Sequence, residues 1–194
     1  IKEIPPERWD INKYYSPDIN EPNKSVSKWA GLVDNFDIFD NQFFNISPRE
    51  AAHMDPQQRL LLEEAWHCIE DSGVPLKRLQ EKRTAVYVGA VTADYLQTAS
   101  GPDILLDGYT TTGNWYCVLA NRISYCFGFR GISIALDTGC TAALTSIHEG
   151  VRLLNLKEAD YVIAGGVNSS FHPLKFISSE IIANSFFSQN RMCI

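Results

Sequence analysis

The chain has 194 residues, 45% of them hydrophobic and 21% charged, with a formal net charge of −6. Such a composition supports one sizeable globular core. The negative balance argues against broad binding to nucleic acid or to an anionic membrane surface, both of which call for a basic face. No stretch is apolar for long enough to cross a bilayer. The opening residues, Ile1-Lys2-Glu3-Ile4-Pro5-Pro6, contain no initiator Met, so they say little about targeting. Five cysteines (Cys68, Cys117, Cys126, Cys140 and Cys193) are scattered and never spaced Cys-x-x-Cys. Free thiols in a reducing cytoplasm are expected, without a zinc ribbon.

In chain order, residues 1–50 are rich in Asn, Asp, Pro and aromatics and show little periodicity. They predict a long irregular surface segment anchored by its aromatic side chains. The clearest helix lies in "MDPQQRLLLEEAWHCIEDSGVP". Asp55 is placed to cap it, Pro56 suits the first turn, and Gln58 stands where the return arm of a capping box would be. Gly73 and Pro75 close it. Leu61, Leu62, Ala65, Trp66 and Ile69 form its apolar face, and Glu63, Glu64 and Glu70 a solvated one. Thr84 to Val91 reads as a buried strand. The stretch "DYLQTASGPDILLDGYTTTGN" is loop-rich with weak helix at its start, and "WYCVLANRISYCFG" is a helix ending near Gly128. "GISIALD" is a strand. From Cys140 to Leu154 a helix is predicted, its apolar positions Ala143, Leu144, Ile147, Val151 and Leu154 recurring at three and four. Asp160 to Val167 is another buried strand. Strand, helix and strand in this order predict a βαβ unit, hence a parallel pair with a right-handed crossover. The pattern weakens after Val167, and no repeat or domain boundary is visible.

Cys140 falls where a strand turns into a helix. There a thiol faces unpaired backbone N–H groups and the positive end of the helix dipole, which favour the nucleophilic thiolate. The same N–H groups can hold an oxyanion once sulfur has attacked a carbonyl. One reading is therefore acyl-thioester chemistry: attack, acyl-enzyme, transfer. The other is a small buried hydrophobe, the usual role of a free cysteine. The local pattern leaves both open. It does exclude the Gly-x-nucleophile-x-Gly elbow of hydrolases, because Thr138 and Ala142 stand where its glycines should be.

"DTGCTAAL" resembles the Asp-Thr-Ala-Cys-Ser-Ser-Ser-Leu active-site motif of β-ketoacyl synthases, in particular the ketosynthase domains of modular polyketide synthases. "IPPERWD", "FFNISPREAAHMDPQQRLLLEEAWHCIEDSG", "VYVGAVTADY", "NRISYCFGFRG" and "DYVIAGGVNSSFHP" resemble successive blocks of that family, in order and spacing. The similarity runs from Ile4 to about Lys175. "GGVNSSFHPLKF" is most similar to bacterial synthases that use a separate, trans-acting acyltransferase.

The resemblance implies a thiolase-like α/β fold, layered α-β-α-β-α in the intact domain. Residues 1–194 would be a partial ketosynthase domain, an incomplete first half without the opening strand block and the C-terminal half. It implies that Cys140 takes an acyl chain from the phosphopantetheine arm of an acyl carrier protein, with its own backbone N–H as an oxyanion donor. A malonyl-type unit would then be decarboxylated, and its carbanion would extend the chain by two carbons. No cofactor is implied for this segment itself. The implied partners are acyl carrier protein, other polyketide synthase domains and a second copy, in the cytoplasm, with neither nucleic acid nor membrane. The dimer would form through Thr110 to Asp137, with Trp115, Tyr116, Tyr125 and Phe127 at or near the interface; the alternative is that these aromatics serve their own core. For Trp115 and Tyr116 the competing roles are core packing and shaping of the acyl channel.

Three departures qualify the resemblance. The two histidine blocks that the family uses for decarboxylation and condensation are not found, so the fragment alone is expected to be inactive. Thr141-Ala142-Ala143 replaces the triple serine. "SSEIIANSFFSQNRMCI" matches the family only loosely, with Arg191 and Cys193 at its end. His53, His67 and His172 read as surface, packing and loop residues. His148 would lie about 12 Å along the helix axis from Cys140, too far to act as its base. Cys68, Cys117 and Cys126 read as core or interface thiols. Two other functions compete: a ketosynthase that passes acyl chains on without extending them, and a non-catalytic partner-binding subunit, against which Cys140 counts.

Overall fold

A computed structural model describes residues 1–91, 94–98 and 107–179. The irregular opening holds only short pieces. Strand β1 (Lys2–Glu3) pairs antiparallel with β2 (Trp29–Ala30), and a 3-10 turn at Ile11–Lys13 is capped by Asp10. Ile4, Trp9 and Ile11 bury themselves against Tyr14, Tyr15 and Phe176, so aromatics do anchor this segment. Helix α1 (Pro48–His53), capped by Ser47, ends it.

Helix α2 (Pro56–Ser72) begins as its sequence predicts. The Asp55 carboxylate accepts from Gln57 N at 2.8 Å, Pro56 opens the first turn, and Gly73 ends the helix. Gln58, however, is not the arm of a capping box. The Asp55 N–H already donates to the Gly113 carbonyl at 2.8 Å. Gln58 instead accepts from Arg122 Nε at 2.8 Å and donates to the Thr112 carbonyl at 3.1 Å. A buried guanidinium is costly without acceptors, and Gln58 with Glu50, 2.5 Å from Arg122 Nη1, supplies them. Leu61, Leu62, Ala65 and Ile69 are buried along the helix. Leu62, wholly buried, contributes on the order of 2 kcal/mol.

Helix α3 (Leu76–Glu81) leads into strand β3 (Thr84–Gly89), and α4 (Tyr95–Thr98) and α5 (Gly108–Asn114) follow. Helix α5 has no apolar period in its sequence; it is held by a capping box between Asp107 and Thr110. Helix α6 (Val118–Phe127), strand β4 (Ser133–Leu136), helix α7 (Ala142–Asn155) and strand β5 (Tyr161–Gly166) complete the order. The sheet runs β4-β3-β5, all parallel. The expected β4-α7-β5 unit is thus present, but its strands are not neighbours. β3 lies between them because it is the strand buried at every position, and the central slot covers both faces.

Val86 and Val88 face α2 and α6, in a core with Leu62, Ile69, Leu119 and Ile123. Ala85 and Tyr87 face the other way, toward Leu153 of α7 and Ala159. The apolar stripe that marks α7 as a helix is not its buried face. Ala142, Ser146, Gly150 and Leu153 are buried, whereas Leu144, Ile147, Val151 and Leu154 are exposed. Small residues lie against the sheet because the approach is close: a Cβ on Gly150 would stand 2.8 Å from Val162 Cγ1. Among the described residues no helix is long and apolar enough to cross a membrane.

Candidate functional site

The chain turns from β4 into α7 over Asp137 to Thr141. Gly139 takes φ +61°, a conformation that disfavours a side chain, and its N–H donates to Asp137 Oδ1 at 2.8 Å. The Thr141 hydroxyl donates to the Thr138 carbonyl at 2.8 Å, and the Thr138 and Thr145 hydroxyls lie 2.9 Å apart. These threonines staple the turn to the first turn of α7. Cys140, between them, is exposed. It is therefore not the buried hydrophobe that its residue type allowed.

Two glycines let α7 descend onto the ends of the strands. A Cβ on Gly89, at the end of β3, would overlap the Ala142 carbonyl and come within 2.6 Å of Ala143 N. A Cβ on Gly166, at the end of β5, would lie 2.6 Å from Ala143 Cβ. Cys140 is thereby held over the C-terminal ends of parallel strands, where open α/β folds collect their ligands. Tyr116 ties two of those ends together: its hydroxyl reaches the Ala90 carbonyl and the Leu136 carbonyl, the latter at 2.7 Å. Burial pushes the Tyr116 phenol up.

A cavity of about 200 Å³ opens beside the thiol. Its described walls are Gly89, Ala90, Val91, Gly139, Cys140, Ala142, Ala143, Gly166, Val167 and Asn168. Among these only Cys140 and Asn168 bring chemistry in their side chains. The loop carrying Asn168 is held on several sides. Ser169 N donates to Gln57 Oε1 at 3.2 Å, and Phe171 N and His172 N both donate to Asp94 Oδ2 at 3.1 Å. Lys175 Nζ donates to Asn168 Oδ1 at 2.6 Å and to the Ser169 carbonyl at 2.7 Å. Arg8 lies over the rings of Phe36 and Phe171, its guanidinium pKa lowered by burial. Asp55, whose carboxyl is pushed up by burial, holds Gln57 from below. The polar run from Asp55 to Arg59 is thus a buried buttress for the site as well as a helix start. Asn168, Lys175, Asp94 and Gln57 escape a reading by motif chemistry. Their only trace in sequence is polar residues inside otherwise apolar blocks.

The histidines lie apart from the cavity walls. His148 is exposed on α7, His53 Nδ1 is 2.8 Å from the Arg49 carbonyl, His67 faces Glu64, and the His172 backbone is held by Asp94. Two of the thiols read as core or interface residues are exposed: Cys68 and Cys117. Cys68, on α2, lines a cavity with Ile163 and Ala164 of β5, and Cys117 precedes α6. Cys126 is half-buried, and burial pushes its thiol up. Glu64 and Glu70 are exposed, while Glu63 is half-buried and raised by desolvation. Of the four aromatics, Phe127 is buried in the α2–α6 core and Tyr116 is tied inward. Trp115 and Tyr125 are 61% and 87% exposed, so core packing does not describe Trp115. Residues 180–194, with Arg191 and Cys193, lie outside the described residues.

The family model of the β-ketoacyl synthase N-terminal domain matches residues 1–193. Over 178 residues the chain is 40% identical to a phenolphthiocerol/phthiocerol polyketide synthase of Mycobacterium tuberculosis, covering 92% of this chain and 10% of that protein. It is 42% identical over 200 residues to polyketide synthase PksL of Bacillus subtilis, covering 100% of this chain and 4% of that protein. Among solved structures, the oxazolomycin ketosynthase domain OzmH KS7 of Streptomyces albus JA3453 superposes with a TM-score of 0.81 at 37% identity, over 93% of this chain and 32% of that one. The ketosynthase from module 6 of the bacillaene synthase of Bacillus subtilis 168 gives 0.76 at 34% identity, over 91% and 28%. The chain spans a tenth or less of these curated relatives and a third or less of the solved chains. With its parallel sheet between helical layers it has part of their thiolase-like α/β fold. It belongs to the β-ketoacyl synthase family, matches that family's N-terminal domain, and is a ketosynthase segment of the polyketide synthase type.

Proposed function

We propose that Cys140 is the acyl acceptor of a ketosynthase that extends polyketide chains. The observation that carries this reading is an exposed thiol in the wall of a cavity, on the turn into a helix and at the C-terminal ends of parallel strands. The thiolate attacks the carbonyl carbon of a thioester borne on the phosphopantetheine arm of an acyl carrier protein. The new bond is from Cys140 Sγ to the carbonyl carbon. The bond to the pantetheine sulfur breaks, and that sulfur leaves as the thiolate and takes up a proton. The backbone N–H of Cys140 is a donor for the transient oxyanion. A malonyl-type thioester then loses carbon dioxide, and its carbanion displaces the Cys140 sulfur to give a chain longer by two carbons.

In this reading the histidines of the second step come from sequence outside the described residues, and the chain is the first half of its domain. Its partners are acyl carrier protein, other polyketide synthase domains and a second copy. The exposed Ile134 on the edge strand β4 and Ile132 just before it, with Trp115 and Tyr125, support a dimer contact within Thr110 to Asp137. The compartment proposed is the cytoplasm. The domain containing this chain, supplied with an acyl-loaded and a malonyl-loaded carrier protein, is expected to release carbon dioxide and yield the two-carbon-longer product. Acyl transfer without carbon dioxide release would instead assign the non-elongating role.

A further inference from the structure

The carboxamide of Asn168 is fixed in one orientation. Lysine has only donors, so the atom 2.6 Å from Lys175 Nζ must be the amide oxygen. The Lys175 ammonium is itself held by the Ser169 carbonyl at 2.7 Å, and the loop beneath it by Asp94 and Gln57. With its oxygen engaged, the amide has its NH2 group left to offer. Asn168 lines the cavity that Cys140 opens into, and every other described wall residue there is Gly, Ala or Val. Asn168 is exposed and brings the one side-chain amide of the described wall; such a donor orients a ligand and selects among ligands, because it rewards an acceptor oxygen and leaves a hydrocarbon unaided.

We propose that Asn168 is a specificity-determining residue that favours acyl chains bearing an acceptor oxygen near the thioester, such as a 3-hydroxyacyl or 3-oxoacyl group, with Lys175 as the positioning residue that aims its NH2 group. This rests on Cys140 being the acyl acceptor. The thiol and the amide share the wall of one cavity of about 200 Å³, which is why the oxygen is placed near the thioester.

The test uses the domain containing this chain with 3-hydroxybutyryl and butyryl thioesters of N-acetylcysteamine, following acylation of the Cys140 peptide by mass. Asn168→Asp keeps the shape and the Lys175 contact and removes the donor. It is expected to lower the rate ratio of 3-hydroxybutyryl to butyryl about fivefold to tenfold, the ratio cancelling any effect common to both substrates. Lys175→Met, which frees the amide to turn, is expected to lower the ratio less, and it is the arm to read should N168D fail to fold. A ratio unchanged in the variants, or both substrates slowed equally, would overturn the inference. No adduct on Cys140 in the unsubstituted protein would overturn the underlying acceptor assignment instead, so the two failures are distinguishable.

Discussion

Gly89 at the end of β3 and Ala142 at the start of α7 meet backbone to backbone, with no room for a Cβ between them. This contact sets the height of the Cys140 turn above the sheet. Gly89→Ala is expected to destabilise the domain by about 2 kcal/mol or more, because the obstacle is backbone and cannot rotate away. Gly31→Ala, where a Cβ meets nothing within 4 Å, is the control and is expected to change little. Urea denaturation of the two variants checks this. Equal stabilities would contradict it.

Thr141 holds the turn through its hydroxyl, which donates to Thr138 O. Thr141→Ala is expected to slow acylation of Cys140 about threefold to tenfold, the worth of one such hydrogen bond. Thr141→Ser, which restores the hydroxyl, is expected to recover the rate. The comparison is decisive through the serine: a serine variant as slow as the alanine variant would remove the hydroxyl from the account.

The turn that exposes Cys140 and the cap of α2 were legible in sequence, and the reason is local. A cysteine between an apolar strand and a periodic helix needs only a turn to become exposed, and the cap of α2 is written in Asp55 and Pro56. What could not be read depends on contacts remote in sequence. The outward facing of Leu144, Ile147, Val151 and Leu154 is invisible to periodicity, which finds an apolar stripe but not what it faces. Gln58 looks like a capping arm until Gly113, far along the chain, takes the N–H it would have used. Asn168 becomes informative only when Lys175 fixes its amide and Cys140 shares its cavity.

Arg83 and Asp160 join α3's exit to the start of β5, with contacts of 3.0 Å and 3.2 Å from the guanidinium and 3.0 Å from the Arg83 N–H. They hold the Asp160 carboxyl at about 2. The folded value lies below the unfolded one of about 4, so the unfolded chain binds more protons between the two. The contribution is present above about pH 4 and is lost as pH falls toward 2. Asp160→Asn is expected to flatten the acid limb of a Tm-against-pH curve in that window. Parallel curves for the two proteins would contradict this.

The exposed face of α7 and the edge of β4 leave Leu144, Ile147, Val151, Leu154 and Ile134 between 41% and 70% exposed. An apolar surface of this kind on a soluble protein marks a covered face. The 194 residues on their own are therefore expected to self-associate, and to bind a hydrophobic dye, during sedimentation at micromolar concentration. A monomeric mass with a cooperative thermal transition would contradict this.

The central claim is that Cys140 carries the acyl chain. The domain containing this chain is incubated with an acyl thioester, digested, and mapped by mass spectrometry. The account predicts a single adduct on the Cys140 peptide, absent from Cys140→Ala. Full acylation of the Cys140→Ala protein, with the label on another residue, would contradict it.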